Sequence, residues 1–390
     1  MVRFLFILFF ALSISTQIAN AQSIHNLPVK QNGGTWDSGH VQGIAVDTKG
    51  GYIYYSFTNL LAKYDFDGKL IGTLTGWNGH LGDLDFNPDD GLVYGSLEYK
   101  KDNAFYIAVI DVDKINAVGI KAAETGILRT VYLKEVAEDY IADLNHDGIN
   151  GTNDDGLKDG QMQSKDHHYG CSGIDGVSFG PKMGHIDGKH YLTVAYGIYS
   201  DISRSDNDHQ VLLQYDVKDW KKYLSPLIET APHHNGPNKV NGKYFVYTGN
   251  TTYGVQNLAY DDNSKRWFMG VYKGKKPNFP NYTLFAIDAK SQPLISDLVG
   301  VPDKNGKKWE KGLLIPLAKD GLYEPKSGTS GWNQKADVGM QPVGNGLFYL
   351  AVNSGSKDQQ TADLTLMRWT GNNQQPFSPT GIEELNKIIH

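Results

Sequence analysis

Histidines and carboxylates recur at the start of similar short segments of this 390-residue chain. One segment, HLGDLDFN at 80–87, carries His80 and Asp83, and another, GIDGVSFG at 173–180, carries Asp175. Histidine has an ordinary pKa near 6.5, so it serves as a general acid, a general base or a metal ligand. Two carboxylates hydrolyse a glycoside when the fold holds them about 5–10 Å apart. We therefore expect His80, Asp83 and Asp175 to act in catalysis.

Further polar residues occupy equivalent positions or precede other strand-like stretches. The residues that we expect to bind substrate from these places are His40, Gln42, His233, His234, Gln256 and Gln341. Three or four converging imidazoles would form a transition-metal site with an open position for substrate. The alternative interpretation is that these residues only give the mouth of a channel a polar lining.

A loop-like stretch, AYGIYSDISRSDND at 195–208, interrupts two good strands. Loops on a rigid scaffold often carry binding residues. Arg204 could hold a carboxylate or sulfate with two parallel hydrogen bonds, and Tyr199 could move a proton. The alternative is a hairpin loop with surface charge.

The stretch DLNHDGINGTND at 143–154 has the ligand spacing of a calcium loop, and it resembles dockerin-type loops. Oxygen ligands at alternate positions, with a glycine at the sharp turn, suit a hard cation. The expected Ca²⁺ ligands are Asp143, Asn145, Asp147, Ile149 through its carbonyl, and Asp154. We expect a structural ion, and the alternative is a flexible loop that binds nothing.

Two tryptophans lie in glycine-containing stretches, TGWNGH and SGWNQK. Flat aromatic faces bind sugar rings, so Trp77 and Trp332 are candidate substrate platforms. Most tryptophans pack in cores, which is the alternative.

Five related segments must position these residues. Each begins with His or Gly, has an apolar fifth residue and ends in a turn residue, and a strand-like run follows each of them. The segments are HVQGIAVD (40–47), HLGDLDFN (80–87), GIDGVSFG (173–180), GVQNLAYD (254–261) and GMQPVGNG (339–346). A repeated unit of about four antiparallel strands is a β-propeller blade, so we predict an all-β propeller whose inner strands start at the channel mouth.

The repeat favours five blades and leaves six or seven open, because HHNGPNKVNGKYFVYTGN at 233–250 could supply an extra blade. The stretch HNLPVKQ at 25–31 has no partner of its own, so we expect it to add the outer strand of the last blade and close the ring. Residues 22–390 are expected to form one propeller domain with an insertion at about 131–170, which contains the calcium loop.

The first 21 residues have the pattern of a secretory signal peptide. Arg3 precedes an apolar stretch, and Ala19 and Ala21 mark a cleavage site, so we expect a secreted or periplasmic protein with no membrane span. Cys171 is the only cysteine, which excludes an intramolecular disulfide. A net charge of −6 and the absence of a long basic run argue against nucleic acid as a partner. The oligomeric state is left open.

The repeated segments and inserted loops resemble those of secreted β-propeller polysaccharide lyases and glycosidases. The resemblance implies a polysaccharide or oligosaccharide substrate, and for a lyase a catalytic set of His168, Tyr199 and Arg204. Our leading hypothesis is therefore β-elimination on an acidic glycan at the channel mouth. A metal-dependent or carboxylate-based hydrolase of a glycoside, phosphoester or lactone is the second hypothesis. A non-catalytic propeller that binds glycan or protein is the third.

Overall fold

The computed structural model describes residues 27–144, 166–356 and 358–381, and strands predominate in these ranges. In chain order the strands are β1 (Lys30–Trp36), β2 (Val41–Asp47), β3 (Tyr52–Phe57), β4 (Leu60–Asp65), β5 (Leu70–Thr75), β6 (His80–Asn87), β7 (Leu92–Tyr99), β8 (Ala104–Ile110), β9 (Ile120–Lys121), β10 (Leu128–Tyr132), β11 (Cys171–Pro181), β12 (His190–Ile198), β13 (His209–Tyr215), β14 (Ser225–Pro226), β15 (Gly242–Tyr247), β16 (Thr252–Asp261), β17 (Arg266–Tyr272), β18 (Leu284–Asp288), β19 (Leu294–Pro302), β20 (Trp309–Leu314), β21 (Leu322–Glu324), β22 (Thr329–Gly331), β23 (Met340–Gly344), β24 (Leu347–Ser356), β25 (Gln359–Trp369) and β26 (Phe377–Pro379). The α-helices in the same ranges are α1 (Ala122–Thr125) and α2 (Lys134–Tyr140), and 3-10 turns occur at Lys100–Asp102, Val112–Lys114, His168–Gly170 and Trp220–Lys222.

Five sheets form the five blades of a β-propeller, and their inner strands pair antiparallel with the strands that follow. From the inner strand outward, the first three blades run β2–β3–β4–β5, β6–β7–β8–β10 and β11–β12–β13–β15. The fourth blade has the three strands β16–β17–β18, and the fifth runs β23–β24–β25–β1. The inner strands β2, β6, β11, β16 and β23 contact one another in a closed ring. The prediction of an all-β propeller with five blades is confirmed, and each of the five repeated segments overlaps one inner strand.

The fourth blade is completed without a long outer strand. The backbone of Trp332 follows β22 and pairs with Leu284 in β18, with N–H···O distances of 2.9 Å and 3.1 Å in the two directions. The short hairpin of β21 and β22 therefore takes the outer position of this blade.

The segment that contains β1 closes the ring, as the sequence predicts. Strand β1 pairs antiparallel with β25, from Lys30 opposite Thr365 to Trp36 opposite Gln360. The strand begins at Lys30, so only the last two residues of the predicted stretch 25–31 belong to it. This pairing covers an edge of the last blade that would otherwise expose unpaired backbone groups.

The segment at 233–250 does not form an extra blade. Its strand β15 pairs antiparallel with β13, from His209 opposite Tyr247 to Gln214 opposite Gly242, so it is the fourth strand of the third blade. Beyond it, β20 pairs in parallel with β15, and the hairpin of β19 and β20 widens this blade. The sequence of 233–250 resembles the start of the fifth blade because both are glycine turns followed by an aromatic strand.

Inner strands carry a bulge at nearly the same point in four blades. The strand pairing shifts between Val41 and Gly43, between Leu81 and Leu84, between Ile174 and Val177, and between Val255 and Asn257. An extra residue in one strand breaks the alternation of side chains and re-aims them. The residues at these bulges are polar or glycine, so the bulges direct polar groups and close backbone contacts toward the channel.

The apolar residues of the segment 80–87 pack against neighbouring strands. Leu81 and Leu84 are buried, and Phe86 is half-buried and stacks on Tyr54 with 6.3 Å between ring centroids. Gly82 lies against the next blade, since a Cβ there would come 2.6 Å from Asp175 Oδ1. Within the described ranges, no helix has both the length and the apolar character needed to cross a bilayer.

Asp83 joins four blades inside the channel. Its Oδ2 accepts hydrogen bonds from the backbone N–H of Val177 (3.0 Å) and of Leu258 (2.9 Å), and its Oδ1 accepts one from the Asn257 amide (2.8 Å). The same Asn257 amide donates to the Gln42 carbonyl at 2.8 Å. A buried acceptor with three donors from other blades holds the inner strands together.

We predict that Asp83→Ala destabilises the fold. The substitution leaves two buried backbone N–H groups without their acceptor, and each such loss costs about 1–3 kcal/mol. Thermal unfolding should therefore shift strongly downward. The matched control is Asp67→Ala, because Asp67 is exposed and lies in the turn between β4 and β5. Equal unfolding temperatures for the two variants would contradict this role of Asp83.

Candidate functional site

A cavity of about 700 Å³ opens at the mouth of the channel, where the inner strands begin. We call it the mouth cavity. Five of the predicted site residues line it: His40, Gln42, His80, Asp175 and Gln256. They come from four blades, so the propeller brings together residues that are more than 200 positions apart in the chain.

His80 faces two carboxylates on the wall of the mouth cavity. Its Nδ1 lies 3.4 Å from Glu98 Oε1 and 3.8 Å from Asp175 Oδ1. Its side chain is 29% exposed, whereas the Glu98 side chain is 5% exposed and the Asp175 side chain 10% exposed. The group therefore combines one accessible imidazole with two mostly buried acids.

The two carboxylates have pKa values shifted in opposite directions. Burial raises the pKa of Asp175 to about 7, against the opposing effect of the His80 charge. Burial also disfavours the charged form of Glu98, but Lys100 and His80 outweigh it and lower the pKa of Glu98 below its ordinary value. At neutral pH, Glu98 is ionised and Asp175 retains a proton for part of the time.

Burial disfavours the charged form of His80 as well, but its two carboxylate neighbours outweigh burial and raise its pKa. A histidine with a raised pKa is a poorer base at neutral pH than an ordinary one. His80 is therefore suited to hold the two acids in place and to compensate their charge.

Asp175 is held from two sides. The Gln256 amide donates to Asp175 Oδ2 at 2.9 Å, and the Ser96 hydroxyl donates to the Asp175 carbonyl at 2.6 Å. The bulge of β11 between Ile174 and Val177 places Asp175 at this point. Both partners come from neighbouring blades, so assembly of the propeller fixes the backbone of Asp175 through Ser96 and its carboxylate through Gln256.

Glu98 is a site residue that sequence reasoning missed. It lies directly opposite His80 across the β6–β7 pair, and it accepts hydrogen bonds from the Lys100 ammonium (2.9 Å) and from the Ile174 N–H (3.1 Å). Residues opposite each other in an antiparallel pair share a face of the sheet. The register of the β6–β7 hairpin would therefore have pointed to Glu98. The bulge in β6 shifts that register, so it could not be read from the sequence.

Aromatic and charged residues complete the wall. Tyr99, Tyr253 and Tyr272 line the mouth cavity, as do Lys100 and Glu229. Glu229 accepts hydrogen bonds from the Tyr99 hydroxyl at 2.8 Å and from the Asn78 side chain at 2.8 Å. None of these residues belongs to a repeated segment, which is why the repeat did not reveal them.

Asp83 and Gln341 lie deeper than the mouth cavity. Asp83 is 1% exposed and bonded to backbone groups, and Gln341 donates to Asp85 Oδ1 at 3.1 Å, further along β6. The structure therefore brings Asp175 together with Glu98 in the cavity, and not with Asp83.

The predicted lyase set of His168, Tyr199 and Arg204 lies outside the described lining of the mouth cavity. The Arg204 guanidinium binds Asp206 with two hydrogen bonds of 2.9 Å and 2.7 Å and also donates to the His167 carbonyl. Tyr199 is buried, and burial raises the pKa of its hydroxyl. The guanidinium of Arg204 is therefore already paired with the Asp206 carboxylate within the protein.

His168 belongs to an ion-pair network that joins α2 to the third blade. Its two ring nitrogens lie 3.1 Å from Asp139 Oδ1 and 3.1 Å from Glu310 Oε2, and Lys243 Nζ lies 2.6 Å from Asp139 Oδ2. The His168 ring stacks on Tyr169 at 3.7 Å between centroids. Burial opposes the charged form, but the two carboxylates raise the pKa of His168 to about 9.

His233 and His234 lie against the outer part of the second blade, where His233 is half-buried and His234 is exposed. His233 Nε2 lies 2.8 Å from the Thr130 hydroxyl, and His234 packs on Tyr132 with 4.5 Å between ring centroids. Trp77 and Trp332 are 2% and 1% exposed, so neither indole ring has a face open to a sugar. Core packing, the alternative interpretation, describes both tryptophans.

The predicted calcium ligands Asn145, Asp147, Ile149 and Asp154 lie outside the described residues, and only Asp143 lies within them. The calcium loop therefore stays a prediction. In the part of the chain that the structure describes, no three His, Cys, Asp or Glu side chains gather as metal ligands do. The transition metal at the mouth likewise stays a prediction, and no ligand set among the described residues supports it.

We predict that His168→Gln destabilises the protein in a pH-dependent way. The pKa of His168 in the fold, about 9, lies above its ordinary value of 6.5, so the stabilisation is complete below pH 6.5. It is lost as the pH rises through about 9, when the folded protein also releases the proton.

The difference in unfolding free energy between the native protein and His168→Gln should be on the order of 2–3 kcal/mol at pH 6 and should shrink toward pH 9. Denaturant unfolding at several pH values measures it. His185→Gln, at an exposed histidine, is the matched control and should show no such trend. A pH-independent difference for His168→Gln would contradict the ion-pair assignment.

No protein-family model matches this chain, and no curated protein matches it. Among solved structures, one titled "Structure of Dos1 propeller" is 13% identical, with a TM-score of 0.32, over 87% of this chain and 68% of that one. A protein of unknown function from Bacteroides caccae is 10% identical, with a TM-score of 0.29, over 72% of this chain and 87% of its own. At these values, neither likeness says anything about the activity of this chain.

Proposed function

We propose that the protein is a carbohydrate-active enzyme that hydrolyses a glycosidic bond in the mouth cavity, with Asp175 as general acid and Glu98 as general base. One observation carries the proposal. Two carboxylates face the same imidazole on the wall of a cavity, and their surroundings shift their pKa values apart. Such pairs divide the roles of acid and base between two otherwise similar groups.

In the proposed reaction, protonated Asp175 gives its proton to the glycosidic oxygen as the bond from that oxygen to the anomeric carbon breaks. Ionised Glu98 takes a proton from a water molecule whose oxygen bonds to the same carbon. The products are two shorter sugars, and the two carboxyl groups have exchanged one proton overall. A later transfer through solvent restores them.

The other residues of the wall have supporting roles in this proposal. Gln256 orients Asp175 through its hydrogen bond of 2.9 Å, and Lys100 keeps Glu98 ionised from 2.9 Å. His80 lies between the acids and balances their charge. A cavity of about 700 Å³ is large enough for more than one sugar ring.

Elimination from an acidic glycan is a second candidate, and Lys100 is the observation that favours it. Its ammonium group lines the mouth cavity beside Glu98, where it could pair with the carboxylate of a uronic acid. Glu98 would then take the proton α to that carboxylate, and Asp175 would protonate the leaving oxygen as the C–O bond breaks. In this reaction Lys100 binds the substrate carboxylate, which is the role that the sequence analysis expected of Arg204.

The proposal includes export of the protein, which the signal-like pattern of the first 21 residues supports. A structural Ca²⁺ in the loop at 143–154 is likewise part of it, and the ligand spacing supports that ion. Neither is needed for the chemistry proposed for Asp175 and Glu98.

We predict a bell-shaped pH profile for glycan cleavage. Activity should fall as the pH rises through about 7, because Asp175 loses the proton that it must donate. It should also fall at acidic pH, where Glu98 becomes protonated, below the ordinary glutamate value of 4.5. The measurement is the rate on carboxylated and neutral polysaccharides, followed by reducing ends and by absorbance of unsaturated uronate together.

Asp175→Asn and Glu98→Gln should each lower the rate at least about 100-fold, since a positioned acid or base contributes 10²–10⁴-fold. Asp102→Asn, which removes an exposed carboxylate from the rim of the same cavity, is the matched control. Reducing ends without absorbance indicate hydrolysis, and both signals together indicate elimination. If no polysaccharide is cleaved but one is bound, the proposal of an enzyme fails and a binding propeller takes its place.

A further inference from the structure

Tyr253 is an unusual residue of the mouth cavity because it is both exposed and strained. It is 43% exposed, while most large aromatic side chains of the described blades are buried. Its φ is +63°, in the left-handed region that residues with a Cβ rarely adopt. Such a conformation persists only where the surroundings impose it, and it is typical of binding and catalytic sites.

The surroundings of Tyr253 show how the conformation is imposed. The next residue, Gly254, also has a positive φ of +73°, and a Cβ there would come 2.1 Å from the Tyr196 carbonyl oxygen. The Tyr253 carbonyl accepts a hydrogen bond of 2.8 Å from the Gln256 amide, which also donates to Asp175. The turn that presents the Tyr253 ring is therefore tied to the acid of the proposed reaction.

Lys100 places a cation beside this ring. Its Nζ lies 5.9 Å from the centroid of the Tyr253 ring, and its side chain is 32% exposed. One ammonium donor is used by Glu98 at 2.9 Å. The ammonium group therefore lies between an aromatic face and the acid pair, with access to the cavity.

We propose that Tyr253 and Lys100 form a subsite for an anionic sugar residue, in which the Tyr253 ring packs on the sugar ring and Lys100 pairs with its carboxylate or sulfate. The inference rests on the proposed function and names its substrate class. An aromatic face binds the C–H face of a sugar without regard to charge, and a lysine beside it adds preference for an anion. The subsite adjoins Asp175, so the bound sugar lies next to the bond to be cleaved.

Binding is tested in the Asp175→Asn background, so that turnover does not interfere. The probes are polygalacturonate, hyaluronan, dextran sulfate and neutral dextran, and the readout is retardation in affinity gel electrophoresis. We expect retardation by a charged polymer. Adding Tyr253→Ala should weaken it at least tenfold, and adding Tyr253→Phe should change it less than twofold, because packing does not need the hydroxyl. Tyr323→Ala, at a tyrosine that is 62% exposed elsewhere, is the matched control and should have no effect.

Lys100→Met should reduce the preference for charged over neutral polymer toward one, and Lys100→Arg should restore it. Polygalacturonate and hyaluronan on one side and dextran sulfate on the other distinguish a carboxylate from a sulfate. A separate readout is the thermal unfolding of Tyr253→Gly, which should be equal to or above that of the parent, since glycine relieves the left-handed strain. Loss of binding without loss of stability is the signature of a binding residue.

The outcomes separate this inference from the proposed function. If glycan is cleaved and Asp175→Asn abolishes cleavage, but Tyr253→Ala and Lys100→Met bind like the parent, the subsite is overturned and the enzyme stands. If dextran binds as well as the charged polymers, the proposed preference of the subsite for an anionic sugar is overturned. If no probe is bound and none is cleaved, the subsite and the proposed function fall together.

Discussion

The carboxylate of Asp83 is the contact on which the rest of the molecule depends. It accepts hydrogen bonds from the backbones of the third and fourth blades, and its partner Asn257 also bonds to the first blade. Propeller blades contact each other largely through apolar side chains, and the hydrophobic effect that holds these together has no preferred direction. A buried carboxylate that needs several fixed donors removes this freedom and sets the relative position of the inner strands. Burial raises the pKa of Asp83 well above its usual range, which shows that desolvation of its charged form costs free energy.

The same bulges that direct Asp83 and Asn257 inward also shape the mouth cavity. The bulges of β2, β11 and β16 present Gln42, Asp175 and Gln256, which lie around the entrance. The bulges of the inner strands therefore determine both the contacts between blades and the positions of the polar residues in the mouth cavity. Close backbone approach at Gly82 lets Asp175 come near His80. A small shift of one inner strand relative to the next would therefore alter the distance between His80 and Asp175.

Much of the fold could be predicted from the sequence, because the five inner strands share a pattern and the first strand has no other partner. The site could be predicted only in part. His40, His80, Asp175 and Gln256 stand at repeat-equivalent positions, so they could be found, whereas Glu98 depends on pairing across a bulge. Arg204 was predicted as a site residue although its charge is already paired. Its partner Asp206 is only two residues away, but the sequence does not show that the two side chains bind each other. The tryptophans could not be placed, because their neighbours come from distant parts of the chain.

The pairing of β1 with β25 has a consequence for the way the chain must fold. Asn32 donates a hydrogen bond to Thr361, a partner 329 residues further along. Strand β1 therefore stays without its partner until the ribosome has made β25. Contacts between such distant residues form slowly, and an unpaired strand can meanwhile join the wrong edge. The last blade can close only when both of its distant segments are present, so loss of β25 would leave β1 and the edge of β24 unpaired and open to association with other chains.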